Sequence, residues 1–420
     1  MQFEQFLSEN GQEDIMAKAC LLGEYLAGEK DVENSPERAL GVRLLSAAGP
    51  RAEVLNRRGE RQKVIMLGSN SYLDLTRRPE VMEASRSALE KYGYGMGAVS
   101  LYAGITDMHR ELEQSIADFC GAEDAILCPS GYGTNVGVIS ALCGKGDVII
   151  NDSANHASIF DGSLLSGADI KIYPHGNMKR LEQILQRLPP EQKGRLIITD
   201  GVFSMHGDLA PLDVITALAE RYGARVMVDD AHGLGIVGPG GRGTAAAFGV
   251  SHKIDLHVSM LSKAPGGLGG YCAASADIIQ YLRLYARTYF FSTALPAPLV
   301  AGLIEVFRLF REDAAQRRKL WENIRHMHGG ISRLGFETAP PVSGIVPVIV
   351  GDEEKLAVFH RHLLDEGVYT NIVTYPAVRR KECRLRLCVM ASLEREDMDA
   401  ALDALEKAGM RSGVLGGRLQ

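Results

Sequence analysis

The chain lacks a cysteine framework. Its seven cysteines, at 20, 120, 128, 143, 272, 383 and 388, are odd in number and contain no C-x-x-C pair. Reduced thiols are therefore expected, and neither a disulfide scaffold nor a zinc site is. An excess of positive charge is missing too. Lys and Arg total 46 against 52 Asp and Glu, for a net charge of −6 and a pI near 6.0, which leaves no basic face for nucleic acid or anionic lipid. No apolar run reaches the roughly 18 residues that a membrane span needs. The opening MQFEQFLSENGQEDIM is acidic, whereas a secretion signal is basic and then apolar, so a cytoplasmic protein is expected. Metal spacing is absent from the eleven histidines: His326/His328 and His360/His362 lie two apart in helical surroundings and point to different faces. No metal site is expected, and the chain has no internal repeat.

What is present is an ordinary globular composition, 46% hydrophobic and 23% charged over 420 residues, long enough for two or more lobes. Residues 1–55 read as a helical arm followed by a polar linker, KDVENSPERALG. From about 64 to 275 short apolar runs alternate with helix-length amphipathic segments: VIMLG, AILCP, DVIIN, DIKIY, RLIIT, RVMVD, LHVSM and YCAAS. That alternation predicts βαβ units, a largely parallel sheet and helices on both faces. After FFSTALPAP (290–298) a long amphipathic helical stretch, roughly 298–334, leads to GIVPVIVG, a helix near 353–366, VYTNIV, RLRLCV and a final helix. The expected organisation is an arm (1–55), a large α/β domain (56–297) and a small C-terminal α/β domain (298–420).

Ligands of such sheets bind at the carboxyl ends of the strands, so polar residues just after the apolar runs carry the information. VSMLSKAPGGLGGY (258–271) sets Lys263 after a buried run. It is not a Walker lysine, because the glycines follow it. The other GK, at Gly144 and Lys145, has Ile139 at the first glycine position. Desolvation at that point would make Lys263 a usable amine nucleophile. PSGYGTN (129–135) offers amides and hydroxyls at a helix start, either a phosphate cradle or a plain tight turn. His156 follows DVIIN, and Ser204 follows RLIIT, where a helix cap is the alternative. VMVDDAHGLG closes a strongly apolar strand with Asp229, Asp230 and His232, and a carboxylate at that depth calls for a cationic partner. Gly238, Gly240 and Gly243 match G-x-G-x-x-G but begin nine residues past Asp229, which marks a loop and not a dinucleotide site. A buried acid, a desolvated lysine, a phosphate cradle and an imidazole together fit pyridoxal 5′-phosphate (PLP), which needs a Schiff-base lysine, a carboxylate for its ring nitrogen and donors for its phosphate.

The motifs MLGSNSYLDL, GMGAVSLYAGITDMHRELE, NHASIFDG, TDGVFSMHGDLAPL, VMVDDAHGLGIVGPGGRG, SMLSKAPGGLGGY, FFSTALPAP and RLRLCV stand in the order and spacing of the α-oxoamine synthases, and from about 60 to 410 the chain resembles that PLP-dependent family. The likeness looks closest to its 2-amino-3-ketobutyrate CoA ligase and serine palmitoyltransferase branches. It implies the PLP-dependent fold type I, as in aspartate aminotransferase, and the condensation of a small α-amino acid with an acyl thioester, acyl-CoA or acyl carrier protein, usually with decarboxylation. Carried over residue by residue, it makes Lys263 the Schiff-base lysine, Asp229 the pyridinium partner and His156 the residue stacked on the ring. Gly131 and Tyr132 become phosphate-loop residues, and Ser204 and His232 hold the phenolic oxygen. Ser292 and Thr293 would reach the cofactor phosphate of a neighbouring subunit, which implies a homodimer with shared sites. Asn70 lies on the substrate side, and Arg386 binds the substrate carboxylate, with Arg384 as the alternative. The chain departs from the family pattern at two positions. Met260 replaces a phosphate-contacting threonine, with Ser259 or Ser262 to substitute, and Ser100 replaces an arginine on the acyl side. Two other functions compatible with the residues are a different fold type I reaction, transamination or aldol-type cleavage, and a non-catalytic partner subunit.

Overall fold

The structure, a computed structural model, describes residues 16–28, 42–56, 59–192 and 194–416. The linker KDVENSPERALG and residues 1–15 lie outside the described residues; of the expected arm, the helix Ala17–Gly28 is described.

A seven-stranded sheet forms the centre, in the order Asp124–Cys128, Gly270–Ala274, Leu256–Met260, Arg225–Asp229, Arg195–Asp200, Val148–Asp152, Asp169–Tyr173. The last five are mutually parallel, and Gly270–Ala274 runs antiparallel to both its neighbours. The inner strands are apolar at nearly every position because helices cover both faces. The helices Gly131–Leu142 and Ala157–Ser166 begin just beyond the carboxyl ends of Asp124–Cys128 and Val148–Asp152, so their amino termini open onto one edge of the sheet.

Two glycines let the first of these helices lie close against the sheet. A Cβ on Gly270 would fall 2.4 Å from Thr134 Oγ1 and 2.9 Å from the Gly131 Cα, and one on Gly131 would collide with the Met260 thioether. Side chains there would lift the helix start off the strand ends.

The run VIMLG does not join this sheet. Arg61–Met66 pairs antiparallel with Arg51–Leu55 and parallel with Val368–Tyr369, in a separate four-stranded sheet. A boundary at residue 56 therefore cuts between two paired strands, and the segment 51–66 is tied by hydrogen bonds to the C-terminal part. The amphipathic stretch after 297 is two helices, Ala297–Glu312 and Ala314–Leu334. It breaks at Asp313, whose carboxylate caps the second helix by accepting from the amides of Ala315 and Gln316. The C-terminal strands Ile345–Ile349, Arg384–Cys388 and Asn371–Val373 make an antiparallel sheet behind the helices Glu353–Asp365 and Arg395–Arg411. One apolar core runs from Leu127 and Tyr271 of the central sheet through Phe307 and Phe310 to Leu385 and Leu387. This continuity fixes the C-terminal strand bearing Arg386 against the carboxyl edge of the central sheet.

Candidate active site

At that edge Gly131, Tyr132, His156, Asp200, Val202, Ser204, Asp229, Ala231, His232, Met260, Ser262 and Lys263 enclose a cavity of about 170 Å³. Seven of the expected site residues are brought together here. Asn70 and Arg386 meet beside it: Arg386 Nη2 donates to Asn70 Oδ1 at 2.6 Å, and its Nη1 to the Ser204 carbonyl at 3.3 Å. Arg384 is buried and differently engaged. Its donors go to the carbonyls of Glu382 and Met205, so of the two arginines Arg386 is the one beside the cavity. Ser292 and Thr293 do not line this chain's cavity; Thr293 is exposed and bridges to Val99.

Asp229 is almost fully buried and accepts from Asn135 Nδ2 at 2.7 Å and from the Ala231 amide at 3.1 Å. Asn135 Nδ2 also donates to Ser158 Oγ at 2.8 Å, and that hydroxyl lies 2.7 Å from His156 Nδ1. The Ser158 amide donates to the same Nδ1. Nδ1 therefore accepts, the ring proton sits on Nε2, and burial lowers the His156 pKa. Asp230 turns the other way. Its oxygens take the Thr244 amide and hydroxyl, packed where Gly201, Gly233 and Gly243 leave room for them.

Burial pulls the Lys263 ammonium down to about 8, against the opposing charges of Asp229 and Asp200. His232 is held well below its ordinary value, first by burial and then by the Lys263 charge. Ser130 caps the helix through the Gly133 amide at 2.9 Å, while the first two residues of the helix, Gly131 and Tyr132, line the cavity. Of the two serines named as substitutes at Met260, Ser262 faces the cavity and Ser259 donates to the Asp230 carbonyl. Ser100 is buried in the 100–104 turn and lies off the cavity wall. The Gly238–Gly243 run forms a short turn and loop, Pro239–Gly241, before a four-residue helix.

Sequence reasoning missed three residues. Asp200 ends its strand in register with Asp229 on the next, and burial followed by the Asp229 charge pushes its pKa well up. RLIITDG shows this aspartate at a strand end, as VMVDD does. Tyr72, fully buried, places its hydroxyl 2.8 Å from His232 Nδ1. Cys388 lies 3.3 Å from Asn70 Oδ1. Both stand in quoted motifs, two residues from Asn70 and from Arg386, but their pairing with His232 and Asn70 spans more than 150 residues of chain and leaves no local signal.

A lysine amine displaced towards neutrality, a buried carboxylate, an imidazole and the open start of a helix are the groups PLP requires, and the cavity supplies all four. The Asn135 Oδ1 and Arg386 Nε atoms, buried without a partner, add polar capacity around it. Fold and cavity together define a PLP-dependent enzyme of fold type I.

The aminotransferase class I and II model matches residues 62–405. The 8-amino-7-oxononanoate synthase of Thermoanaerobacter pseudethanolicus is 43% identical over 89% of this chain and 93% of its own length. The 4-hydroxy-2,2′-bipyrrole-5-methanol synthase PigH of a Serratia species is 40% identical over 85% of this chain and 54% of its own length. A structure of serine palmitoyltransferase from S. paucimobilis, carrying PLP and myriocin, superposes with a TM-score of 0.88 at 33% identity, over 96% of this chain and 100% of that one. The chain belongs to the α-oxoamine synthase family of PLP-dependent enzymes. It is a PLP-dependent C-acyltransferase that condenses an amino acid with an acyl thioester to give an aminoketone.

The displaced lysine gives the first prediction. The apoenzyme should capture PLP at a rate that rises with pH through about 8 and levels above it, because the neutral amine is the attacking form. The growth of cofactor absorbance after mixing measures this. A rate still climbing tenfold per unit at pH 10 would mean an ordinary lysine.

Proposed function

We propose that the enzyme transfers an acyl group from coenzyme A or an acyl carrier protein to the α-carbon of glycine, serine or alanine, and that the amino acid's carboxylate then leaves as carbon dioxide. The observation that supports this most is the meeting, at one edge of the sheet, of Lys263 and Asp229 in the cavity with the Arg386–Asn70 pair beside it. Bound PLP accepts the electron pair left when the α-proton is removed. In this reading Asp229, oriented by Asn135, keeps the ring nitrogen protonated, and the Lys263 amine carries the cofactor and takes the α-proton. His156 lies against the ring, Ser204 and His232 hold its phenolic oxygen, and Gly131 and Tyr132 cradle its phosphate. Arg386 receives the carboxylate in a fork that a lysine cannot offer. The new bond joins the α-carbon to the thioester carbonyl, the C–S bond breaks, and the thiol leaves with a proton.

Two relatives of nearly equal identity, 43% and 40%, carry different reaction names, so the choice of substrates rests on this chain's own pocket. Arg386→Ala is expected to raise the amino-acid KM by roughly 10- to 100-fold, the loss of a charge-assisted hydrogen bond of about 1.5–3 kcal/mol, with the thioester KM unchanged. A thioester KM that rises while the amino-acid KM stays put would move the carboxylate site elsewhere.

The same reading includes a homodimer. Ser292 and Thr293 lie away from their own chain's cavity, and the large apolar side chains of Tyr102, Leu164, Leu165 and Phe291 are exposed, which suits a subunit contact. Sedimentation should return twice the chain mass. A cytoplasmic location agrees with seven unpaired cysteines. Among the described residues no helix is long and apolar enough to cross a membrane.

A further inference from the structure

Behind the loop that carries Ser204 lies a cluster of titratable side chains that the chemistry above does not use. His175 follows the strand Asp169–Tyr173, and a carboxylate sits at each edge of its ring: Asp152 Oδ1 lies 3.0 Å from Nδ1, and Asp208 Oδ2 lies 3.0 Å from Nε2. The ring stacks on His206 with centroids 4.9 Å apart and meets Phe203 edge-on at 4.3 Å. Asp152 is fixed in turn. It ends its strand fully buried and accepts from the amides of Ala154 and Gly176. Asp208 closes the loop, since its carbonyl accepts from the Phe203 amide at 3.0 Å. One imidazole thus joins the end of a central strand to the loop 203–208. The C-terminal part rests on the carbonyls of that same loop: Arg384 on Met205, Arg386 on Ser204 and the Ser343 hydroxyl on Gly207.

We propose that His175 is a positioning residue: held as an imidazolium between Asp152 and Asp208, it fixes the 203–208 loop and, through the Ser204 carbonyl, the direction in which Arg386 presents its guanidinium. This rests on the reading of Arg386 as the carboxylate site. A neutral imidazole has one N–H, and two carboxylates at hydrogen-bonding distance require two. The charges around the ring agree. Asp152 and Asp208 face it directly, with the Tyr173 phenol beside Asp152. His206 on the stacked side is kept neutral by its own burial and then by the Arg384 charge, while Glu382 lies beyond it. Burial opposes the His175 charge, but its hydrogen bonds to Asp152 and Asp208 outweigh that and push its pKa up to about 10. The folded value is raised above the ordinary 6.5, so the clamp's stabilisation is fully present below about pH 6.5 and is lost as pH rises through about 10.

A divalent cation is the competing occupant, since ligand atoms of His175, His206 and Asp208 lie within 4.8 Å of one another. His206 Nδ1 and Asp208 Oδ1 are buried without a hydrogen-bond partner. The proton is favoured because both edges of His175 are already at hydrogen-bonding distance from a carboxylate and the Arg384 charge stands next to His206.

The test is His175→Gln in the PLP-loaded enzyme, titrated spectrally with glycine, serine and alanine. The amino-acid Kd should weaken by about tenfold or more while kcat at saturation stays within about threefold, and the melting-temperature deficit against wild type should shrink from pH 7 to pH 10. An unchanged Kd in the folded variant overturns the proposal. Should that variant fail to fold, Asp208→Asn carries the same expectation and the same refutation. Arg386→Ala, run in parallel, separates the two readings. If it weakens amino-acid binding and His175→Gln does not, the clamp fails alone; if it has no effect, the carboxylate site fails first. Zinc chloride and a chelator should leave Kd unchanged. Stoichiometric zinc uptake that His206→Ala abolishes would replace the clamp with a metal site.

Discussion

A Lys263→Ala variant is expected to fold, to purify without the cofactor absorbance of the wild type and to lose turnover by about 10⁴-fold or more, the upper range for removing a positioned general base. The size follows from geometry. Lys263 is the lysine among the cavity-lining residues, and burial lowers its amine to about 8, so deletion removes both the covalent anchor and the proton acceptor. Because the side chain is half-buried at the end of a strand, truncation costs the core little, and the melting temperature of the apo form should stay within a few degrees of wild type. Turnover near the wild-type rate would sink the assignment; a collapse of the fold would mean the loss was structural.

The second large effect is expected at Asp229. Asp229→Asn should keep the cofactor and the fold, since the amide fills the same volume, yet slow α-proton exchange by roughly 10³-fold, equivalent to about 4 kcal/mol of barrier. A neutral amide cannot hold a pyridinium proton, and without that proton the ring is a poor electron sink. Asp230 is the internal control. Its oxygens are committed to Thr244 and lie in the space left by three glycines, so Asp230→Asn should lower stability more than chemistry. Deuterium exchange at the α-carbon of glycine reads the difference without any thioester. If Asp230→Asn proves the more damaging to exchange, the two aspartates have exchanged roles.

Much of this site was legible because its residues stand at the ends of apolar strands. Asp229, His156, Ser204 and Lys263 each follow a buried run, and in a parallel sheet that alone brings them to one edge. What the pattern could not convey is direction and partnership. Gly270–Ala274 is as apolar as its neighbours but runs against both, since hydrophobicity carries no strand direction. VIMLG has the composition of a central strand, yet it pairs with Arg51–Leu55 on one side and, on the other, with Val368–Tyr369 some 300 residues away. Asp200 occupies the same strand-end position as Asp229, in the same motif as Ser204. The His175 clamp is built from residues 152, 175 and 208, which no local spacing unites, whereas the histidine pairs that spacing did isolate sit on C-terminal helices. Ser100, placed on the acyl side by the family resemblance, is buried in the 100–104 turn. Ser100→Arg would therefore be read through the 100–104 turn as well as through the choice of thioester.

The most direct test of the central claim is the product itself. The PLP-loaded enzyme is incubated with glycine, serine or alanine and a panel of acyl thioesters, and free thiol, carbon dioxide and product mass are followed together. One pairing is expected to release thiol and carbon dioxide in equal amounts and to yield an aminoketone whose mass is the sum of amino acid and acyl-thioester substrates less thiol and carbon dioxide. Amino acid consumed at the same rate with no thioester present, giving a keto acid or an aldehyde, would contradict it.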